Sequence, residues 1–343
     1  MRSLEVIVWN NVLVTGGAGF IGSHFVTRLL AAGEVGRVTV LDALTYAGSI
    51  HNLGEAFLAP HFRFVHGDIT DHALVDAVVG EHDAVVHFAA ESHVDRSFSA
   101  AGRFVSTNVA GTQILLDAAM RHGVRRFVHV STDEVYGPVP TGVASEDDPL
   151  RPTVPYAASK AASDLMALSY HRTFGVPVCV TRSANNYGPR QHPEKIIPLF
   201  VTRLLKGHPV TLHGRGEHVR HWLHVTDHCQ GIEVVLREGV PGEIYNIGGG
   251  TELTNRELTE RILRACDADW GAVEFVEDRR CNDLRYAMDC TKITRLGYRP
   301  VREFADGLAE TVEWYRAHPD RWAPLLRAPQ TAGAPAGEGK GRA

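Results

Sequence analysis

Two short segments carry side chains able to do acid–base chemistry on an alcohol. Residues 127–137 read Phe-Val-His-Val-Ser-Thr-Asp-Glu-Val-Tyr-Gly. The apolar start predicts a buried strand that delivers Ser131, Thr132, Asp133 and Glu134 at its carboxyl end. Residues 155–160 read Pro-Tyr-Ala-Ala-Ser-Lys, on a predicted helix. Tyr156 and Lys160 stand four residues apart there and share a face. A lysine ammonium beside a phenol favours the phenolate, so Tyr156 is expected to titrate below the usual value of about 10. Such a phenol is a general base for an alcohol, and two neighbouring carboxylates can divide acid and base work. Taken alone, Tyr-x-x-x-Lys also describes a helix with a surface lysine and a half-buried tyrosine. The rest of the chain decides.

The 343 residues suffice for two modest domains, or one large domain with a lobe. Hydrophobic residues at 44% and charged residues at 22% are ordinary for a soluble globular protein. A net charge of −5, with the acidic residues dispersed, gives no footprint for nucleic acid. No apolar stretch approaches about 18 residues, so no membrane-spanning helix is expected. The first ten residues lack the apolar core and cleavage site of a signal peptide. Cys179, Cys229, Cys266, Cys281 and Cys290 show no Cys-x-x-Cys spacing, which fits a reducing cytoplasm and no structural metal. None of the 19 histidines forms His-x-x-x-His with an acidic partner on a helix, so no metal is expected.

The elements that must position the chemistry alternate in type. Residues 11–15 read as a buried strand, followed by Gly16-Gly-Ala-Gly19-Phe20-Ile21-Gly22 and an apolar-periodic helix over 23–32. Glycines between a strand and a helix allow a tight turn and close approach of a pyrophosphate, and the helix N-terminus supplies free N–H groups. Residues 38–41 form the next strand, ending in Asp42, 20 residues after Gly22. A carboxylate there belongs on a ribose and repels a 2′-phosphate, which favours NAD over NADP. Further strands are expected at 62–65, ending in Asp68 and Ile69, at 84–88, ending in Ala89 and Ala90, and at 127–130. A long helix spans 104–122 and another 156–174. This alternation predicts an α/β fold with a doubly wound parallel sheet, whose ligands bind beyond the carboxyl ends of the strands. Gly16, Asp42, Asp68, Ala89 and Thr132 all fall at those ends, so one cleft can collect them.

After a sixth strand at 178–181 and Asn185-Asn186-Tyr-Gly-Pro the character changes. A helix is expected from about 195 to 205, short strands at 210–212 and 220–225, a helix over 227–236, and a strand at 244–247. A Gly-Gly-Gly turn then leads to Thr254-Asn255 and another helix. These pieces are expected to form a smaller substrate-binding lobe over about 187–325, beside a domain over 1–186 to which later segments return. The last expected helix ends at Trp314. Residues 330–343, rich in Gly, Ala, Pro and charge, read as a disordered tail. No internal repeat is present.

Over residues 11–325 the chain resembles the extended short-chain dehydrogenase/reductases, and within them the dTDP-glucose 4,6-dehydratases. The resemblance rests on Gly-Gly-Ala-Gly-Phe-Ile-Gly at 16–22, Leu-Thr-Tyr-Ala-Gly at 44–48 and Ala-Ala-Glu-Ser-His-Val-Asp-Arg-Ser at 89–97. It rests equally on Ser-Thr-Asp-Glu-Val-Tyr-Gly at 131–137, Tyr-x-x-x-Lys at 156–160, and Asn-Asn-Tyr-Gly-Pro with Pro-Glu-Lys at 185–195. It implies a Rossmann-type fold, bound NAD, a nucleotide-sugar substrate and a homodimer built on helices 104–122 and 156–174. Tyr156, helped by Lys160, would take the proton of the sugar 4-hydroxyl. Glu134 would remove the C5 proton, Asp133 would protonate the departing 6-hydroxyl, and Thr132 would bond the 4-oxygen. Gly16, Gly19, Phe20, Ile21 and Gly22 would line the cofactor, with Asp42, Ala43, Leu44 and Thr45 at its ribose side and Asp68 and Ile69 at the adenine. Phe88, Ala89, Ala90, Ser92, Thr107 and Asn186 would complete that site. Ser92, Asn185, Lys195, Arg220, Asn255, Arg279 and Asn282 would hold the substrate, whose diphosphate suits fixed cations and forked donors.

The chain departs from the family pattern at two places. Arg279-Arg280-Cys281-Asn282-Asp283 stands where Arg-Pro-Gly-His-Asp is usual, and His221 follows Arg220 where the family often has an acid. Asn282 cannot carry the charge of a histidine, and Cys281 lacks glycine's backbone freedom. Both changes bear on the nucleotide, so a dehydratase for another nucleotide-hexose is the nearest alternative. A nucleotide-sugar epimerase or decarboxylase is a second, against which Asp133-Glu134 speaks. A non-catalytic NAD-binding regulator is a third, opposed by the intact Thr132, Asp133, Glu134, Tyr156 and Lys160. The pattern is most like members that serve antibiotic sugar pathways.

Overall fold

A computed structural model describes residues 9–278 and 283–326. In chain order the first half runs β1 (Trp9–Thr15), α1 (Phe20–Ala32), β2 (Val35–Asp42), β3 (Phe62–His66), α2 (His72–Val79) and β4 (Ala84–His87). It continues through α3 (Val94–Ser99), α4 (Ala101–Phe104), α5 (Thr112–His122), β5 (Arg126–Thr132), α6 (Pro155–Phe174) and β6 (Val178–Ser183). The second half contains β7 (Asn185–Tyr187), α7 (Ile196–Leu205), β8 (Val210–His213), β9 (Val219–His224), α8 (Val225–Glu238) and β10 (Ile244–Ile247). It ends with β11 (Thr251–Thr254), α9 (Asn255–Ala265), β12 (Val273–Val276), α10 (Thr291–Arg295), α11 (Phe304–Ala317) and α12 (Pro319–Trp322).

Seven strands form one parallel sheet in the order β10-β6-β5-β4-β1-β2-β3. Its central strands are buried along their whole length, as the continuous Val-rich runs of β4 and β5 require when helices cover both faces. One face packs an apolar layer around Phe25 of α1 and Ile232 of α8, the other around Leu115 of α5 and Ala167 of α6. A fully buried Phe25 or Leu115 contributes about 1.5–3 kcal/mol. This is the expected doubly wound α/β architecture. Residues 244–247, grouped with the smaller lobe on sequence, instead extend this sheet beside β6. A four-residue apolar strand does not declare which sheet it joins, because pairing is a long-range choice.

The second correction concerns residues 104–122, expected as one uniform helix. Val105–Gly111 is wound as a π-helix before α5 begins. Two contacts hold the wider turn. A Cβ on Gly111 would stand 2.6 Å from Ile69 Cδ1, so only glycine lets the helix approach there. Asn108, buried inside the turn, accepts from Glu91 N at 2.8 Å and donates to Glu91 O at 3.0 Å and Ser159 Oγ at 2.9 Å. Such bulges concentrate near functional sites, and Thr107 lies in this one.

A three-stranded sheet, β11-β9-β7, and a parallel β12-β8 pair stand apart from the main sheet and share a core with α7, α9 and α11. Thr254 and Glu257 form a reciprocal cap at the start of α9: Glu257 N donates to Thr254 Oγ1 at 3.1 Å, and Thr254 N to Glu257 Oε2 at 2.8 Å. That cap fixes Asn255 at the helix start. The tail at 330–343 falls outside the described residues. Among the described residues no helix is long and apolar enough to cross a membrane, and no group of metal-ligating side chains is present.

Candidate active site

The sheet order reverses between β1 and β4, and a crevice opens there at the carboxyl ends of the strands. Gly16 makes the turn out of β1 with φ of +70°, and a Cβ there would lie 2.5 Å from Ala89 N just beyond β4. A Cβ on Gly22 would lie 2.3 Å from Gly16 O. Both positions therefore require glycine, one for its dihedral and both for space. α1 starts directly after this turn, with no side-chain cap and no acid in its first turn. Its free N–H groups and positive dipole end are available to an anion in the crevice. Asp42 holds the turn from the side, accepting from Ala18 N at 2.9 Å and Leu44 N at 2.8 Å. Burial raises its pKa against those two hydrogen bonds. A carboxylate has about four acceptor sites, so it retains capacity for a hydroxyl pair.

A cavity of about 330 Å³ follows from this turn to the end of β5. Every expected cofactor residue lines it except Leu44. Leu44 instead takes a left-handed conformation, φ +49°, which turns the chain around the Asp42 carboxylate. The cavity's shape and chemistry fit a dinucleotide: a glycine turn and helix start for a pyrophosphate, a carboxylate at a ribose distance along the chain, and apolar Ile69 and Phe88 beside them.

Thr132, Glu134, Tyr156 and Lys160 line the inner end of the same cavity. β5 ends in Thr132, the short turn after it carries Glu134, and α6, docked against β5, supplies the others. Thr132 Oγ1 accepts from Glu134 N at 3.3 Å and lies 3.3 Å from Asp133 Oδ1, which starts the short turn that carries the carboxylates. Asp133 is 3% exposed, and its Oδ2 has no hydrogen-bond partner. Burial first, then the Glu134 charge, push its pKa up to about 7, with Arg220 opposing. Burial also raises Glu134, against the pull of Lys195 and Arg220. Of the adjacent acids, Asp133 is thus placed to keep a proton near neutral pH.

The expected depression of Tyr156 by Lys160 is not found. Burial first, and then the Glu134 and Asp133 charges, hold the phenol above its usual pKa, opposed by a hydrogen bond with Thr132. Lys160 is buried, its pKa lowered to about 8 by that burial, and its ammonium donates to Val130 O at 2.7 Å. A helix spacing shows that two side chains share a face, but not where the neighbouring sheet sends the ammonium.

A second cavity, of about 240 Å³, meets the first at Glu134, Asn185, Glu194 and Lys195. Arg220 and Asn255 line it as well, and Arg220 lies over the Tyr286 ring at 4.6 Å. Tyr286 donates to Asp283 Oδ2 at 2.7 Å, and Asp283 accepts from Thr153 Oγ1 at 2.7 Å. Of the expected substrate residues, Arg279 and Asn282 lie outside the described residues, as do the departures at 280 and 281. His221 Nε2 donates to Gly250 O at 3.0 Å, beside the β9–β11 ladder.

Sequence reasoning missed Asp283 and Tyr286 as lining residues. The Arg-Tyr-Ala triplet at 285–287 was the available signal. It also missed Tyr46, whose ring carries the Arg96 guanidinium at 3.8 Å. Arg96 in turn meets Glu194 at 3.3 Å, which ties α3 to two separate loops beside the cavity. No local pattern foretells that meeting.

Comparison with known proteins agrees with this geometry. The family model described as GDP-mannose 4,6 dehydratase matches residues 13–311. A dTDP-glucose 4,6-dehydratase of Actinoplanes sp. is 57% identical over 317 residues, 91% of this chain and 99% of that protein. One from Streptomyces antibioticus is 57% identical over 331 residues, 95% of this chain and 98% of that protein. The chain belongs to the nucleotide-sugar 4,6-dehydratase family of the extended short-chain dehydrogenase/reductases. The crystal structure of the dTDP-glucose 4,6-dehydratase DesIV from Streptomyces venezuelae, with NAD bound, superposes with a TM-score of 0.91. It shares 58% identity and covers 92% of this chain and 99% of that one. Membership of this dehydratase family makes the chain an enzyme of the hydro-lyase class.

Proposed function

We propose that the protein converts dTDP-glucose to dTDP-4-keto-6-deoxyglucose in deoxysugar biosynthesis. The observation that carries this reading is the Asp133–Glu134 pair just beyond β5: Asp133 is buried with its pKa pushed up to about 7, and Glu134, whose charge acts on Tyr156, lines both cavities. One cavity suits a dinucleotide and the other a sugar nucleotide, so the sugar would sit over the carboxylates.

As a phenolate, favoured by the Lys160 ammonium and the charge of bound NAD⁺ against the burial that holds its pKa up, Tyr156 would take the proton of the sugar 4-hydroxyl, with Thr132 bonding the oxygen. NAD⁺, when bound along the glycine turn, supplies a fixed positive charge and a store that accepts a hydride from C4 and returns it to C6. A ketone at C4 acidifies the proton on C5. Glu134 removes that proton, and Asp133 delivers its own to the departing 6-hydroxyl, which leaves as water; reduction at C6 is completed by a proton returned to C5 from Glu134 after exchange with solvent. The division of labour follows from environment, since two adjacent buried carboxylates cannot both ionise cheaply. Lys195 and Arg220 supply cationic charge beside Glu134 for the diphosphate.

The proposal extends to a domain division at about residue 186, to a cytoplasmic homodimer, and to a pathway of antibiotic sugars. Val105, Leu165 and Phe174 on the α5–α6 side are more than half exposed, which supports a covered face. Cys179, Cys229, Cys266 and Cys290 are unpaired, as suits a reducing compartment. The decisive experiment is incubation with dTDP-glucose in deuterated water, read by proton NMR. A 4-keto-6-deoxy product with deuterium at C5 is expected. Turnover of UDP- or CDP-glucose alone would overturn the nucleotide, and no turnover of any nucleotide sugar would overturn the reading.

A further inference from the structure

α6 carries a third polar side chain on the stripe of Tyr156 and Lys160. Asp164 follows at the next helical repeat and is fully buried, as are its partners Arg182 on β6 and His129 on β5. Arg182 Nε donates to Asp164 Oδ2 at 2.9 Å. Asp164 Oδ1 and Arg182 Nη1 both lack a hydrogen-bond partner. His129 Nε2 comes within 3.3 Å of Oδ1 and 3.1 Å of Ser163 Oγ, and against burial His129, Arg182 and Ser131 together hold the Asp164 carboxyl below the ordinary carboxylate range.

This is a poor design for a pair that merely locks a helix to a sheet. Arginine and carboxylate can meet through two parallel hydrogen bonds, and here only one forms. Burying ionic groups costs more than a well-packed apolar contact at the same place. The half-used carboxylate lies one helical turn beyond Lys160, and its charge is the favourable one that acts on that ammonium. The charges around the ammonium are few. From β4 and β5 it faces His87 and His129, both kept neutral by burial, with His129 held at about 4. From α6 it faces Tyr156 and Asp164, and behind Asp164 stands Arg182. Asp133 and Glu134 act on the far side, through Tyr156.

We propose that Asp164 is a positioning residue of the reaction, the buried counter-charge that keeps Lys160 an ammonium behind Tyr156, with Arg182 setting how strongly it acts. This rests on the assignment of Tyr156 and Lys160 above. The arrangement has a directional consequence. Loss of the Asp164 charge leaves Lys160 facing Arg182 with no compensation, so Lys160 gives up its proton at lower pH. Loss of the Arg182 charge leaves Asp164 entirely to Lys160, so the proton is held to higher pH.

The test is the pH profile of kcat for the NAD-loaded enzyme with dTDP-glucose, with bound nicotinamide measured per chain. Asp164→Asn is expected to move the basic limb down by about one to three pH units, and Arg182→Met to move it up. Asp164→Glu is expected to return the limb close to that of the unaltered enzyme. An ion pair with a structural role alone would lower Tm or kcat in both variants and leave the limb in place, and that result overturns the proposal. Failure of both charge-removing variants to yield folded holoenzyme by circular dichroism, while Asp164→Glu folds, also overturns it in favour of the structural role. Lys160→Met is the control. If it keeps the basic limb of the unaltered enzyme, the limb is not that of Lys160, and the Tyr156–Lys160 assignment fails rather than the link to Asp164.

Discussion

The Lys160 ammonium donates to the backbone carbonyl of Val130 at 2.7 Å. Val130 precedes Thr132 by two residues on the same strand, so the bond ties the helix that carries Tyr156 to the strand that leads into the carboxylates. It consumes one of three ammonium donors and leaves the rest for the cavity that Lys160 lines. Lys160→Met removes the charge and keeps the apolar stem. We expect kcat to fall by about 10²–10⁴, the usual value of positioned acid–base catalysis, with Tm little changed. Turnover within tenfold of the unaltered enzyme would remove Lys160 from the mechanism.

Glu134 stands where the two cavities meet, next to Lys195. Glu134→Gln keeps size and hydrogen bonding and cannot take a proton. With dTDP-glucose in a single turnover, reduced-nicotinamide absorbance should rise and persist, and the C5 proton should not exchange with deuterated water. Tyr156→Phe should show neither signal. A Glu134→Gln enzyme that still exchanges the C5 proton would assign the base to another group.

Much of this site was legible because its residues sit at strand ends, where a local pattern fixes their place. The glycine turn at 16–22, Asp42 and the Thr132–Glu134 run each follow a short buried strand, and one parallel sheet brings such ends together. What was not legible depended on contacts far apart in sequence. Ile244–Ile247 joins the main sheet by pairing with β6, more than 60 residues earlier. The π-helical turn at Val105–Gly111 depends on Ile69 and Glu91, which no periodicity within 104–122 encodes. The Tyr156 pKa failed for the same reason. Spacing placed Lys160 near the phenol, but the depth of burial and the two facing carboxylates decide the sign.

Gly16 combines φ of +70° with backbone atoms of Ala89 at 2.5 and 2.7 Å from any added Cβ. Gly33 has φ of +66° and nothing within 4 Å. Alanine at either position meets the dihedral penalty, about 1–3 kcal/mol. Only Gly16→Ala also pushes β4's exit away from the turn. NAD retained per chain after desalting should drop in Gly16→Ala and remain in Gly33→Ala, while both lose some Tm. Equal retention in the two would separate the turn from cofactor binding.

Leu165 is 60% exposed in the middle of α6, and Val105 is 57% exposed on the π-helical turn packed beside it. The proposed homodimer would cover these side chains, since large apolar groups exposed together suit a surface that meets another chain. Light scattering on a sizing column should give twice the chain mass of 37.6 kDa for the unaltered protein. Leu165→Arg should shift it toward one chain mass. A monomer in the unaltered protein would set the homodimer aside.

Asp133 couples stability to pH in a direction its burial dictates. Its folded pKa of about 7 stands above the ordinary carboxylate value, so the native state binds this proton more tightly than the unfolded chain does. The stabilisation is fully present below about pH 4 and is lost as pH rises through about 7, where the buried carboxylate must ionise. Asparagine has the same shape and never ionises. Asp133→Asn should therefore match the unaltered enzyme in Tm near pH 4 and exceed it near pH 8, because only the unaltered enzyme must ionise a buried carboxyl over that range. Water elimination should be lost in the same variant, because its acid is gone. Thermal unfolding of both proteins across this pH range decides the matter. A variant less stable at every pH would mean that the Asp133 carboxylate is favourably paired in the native state, and that the proton it is assigned to deliver is held elsewhere.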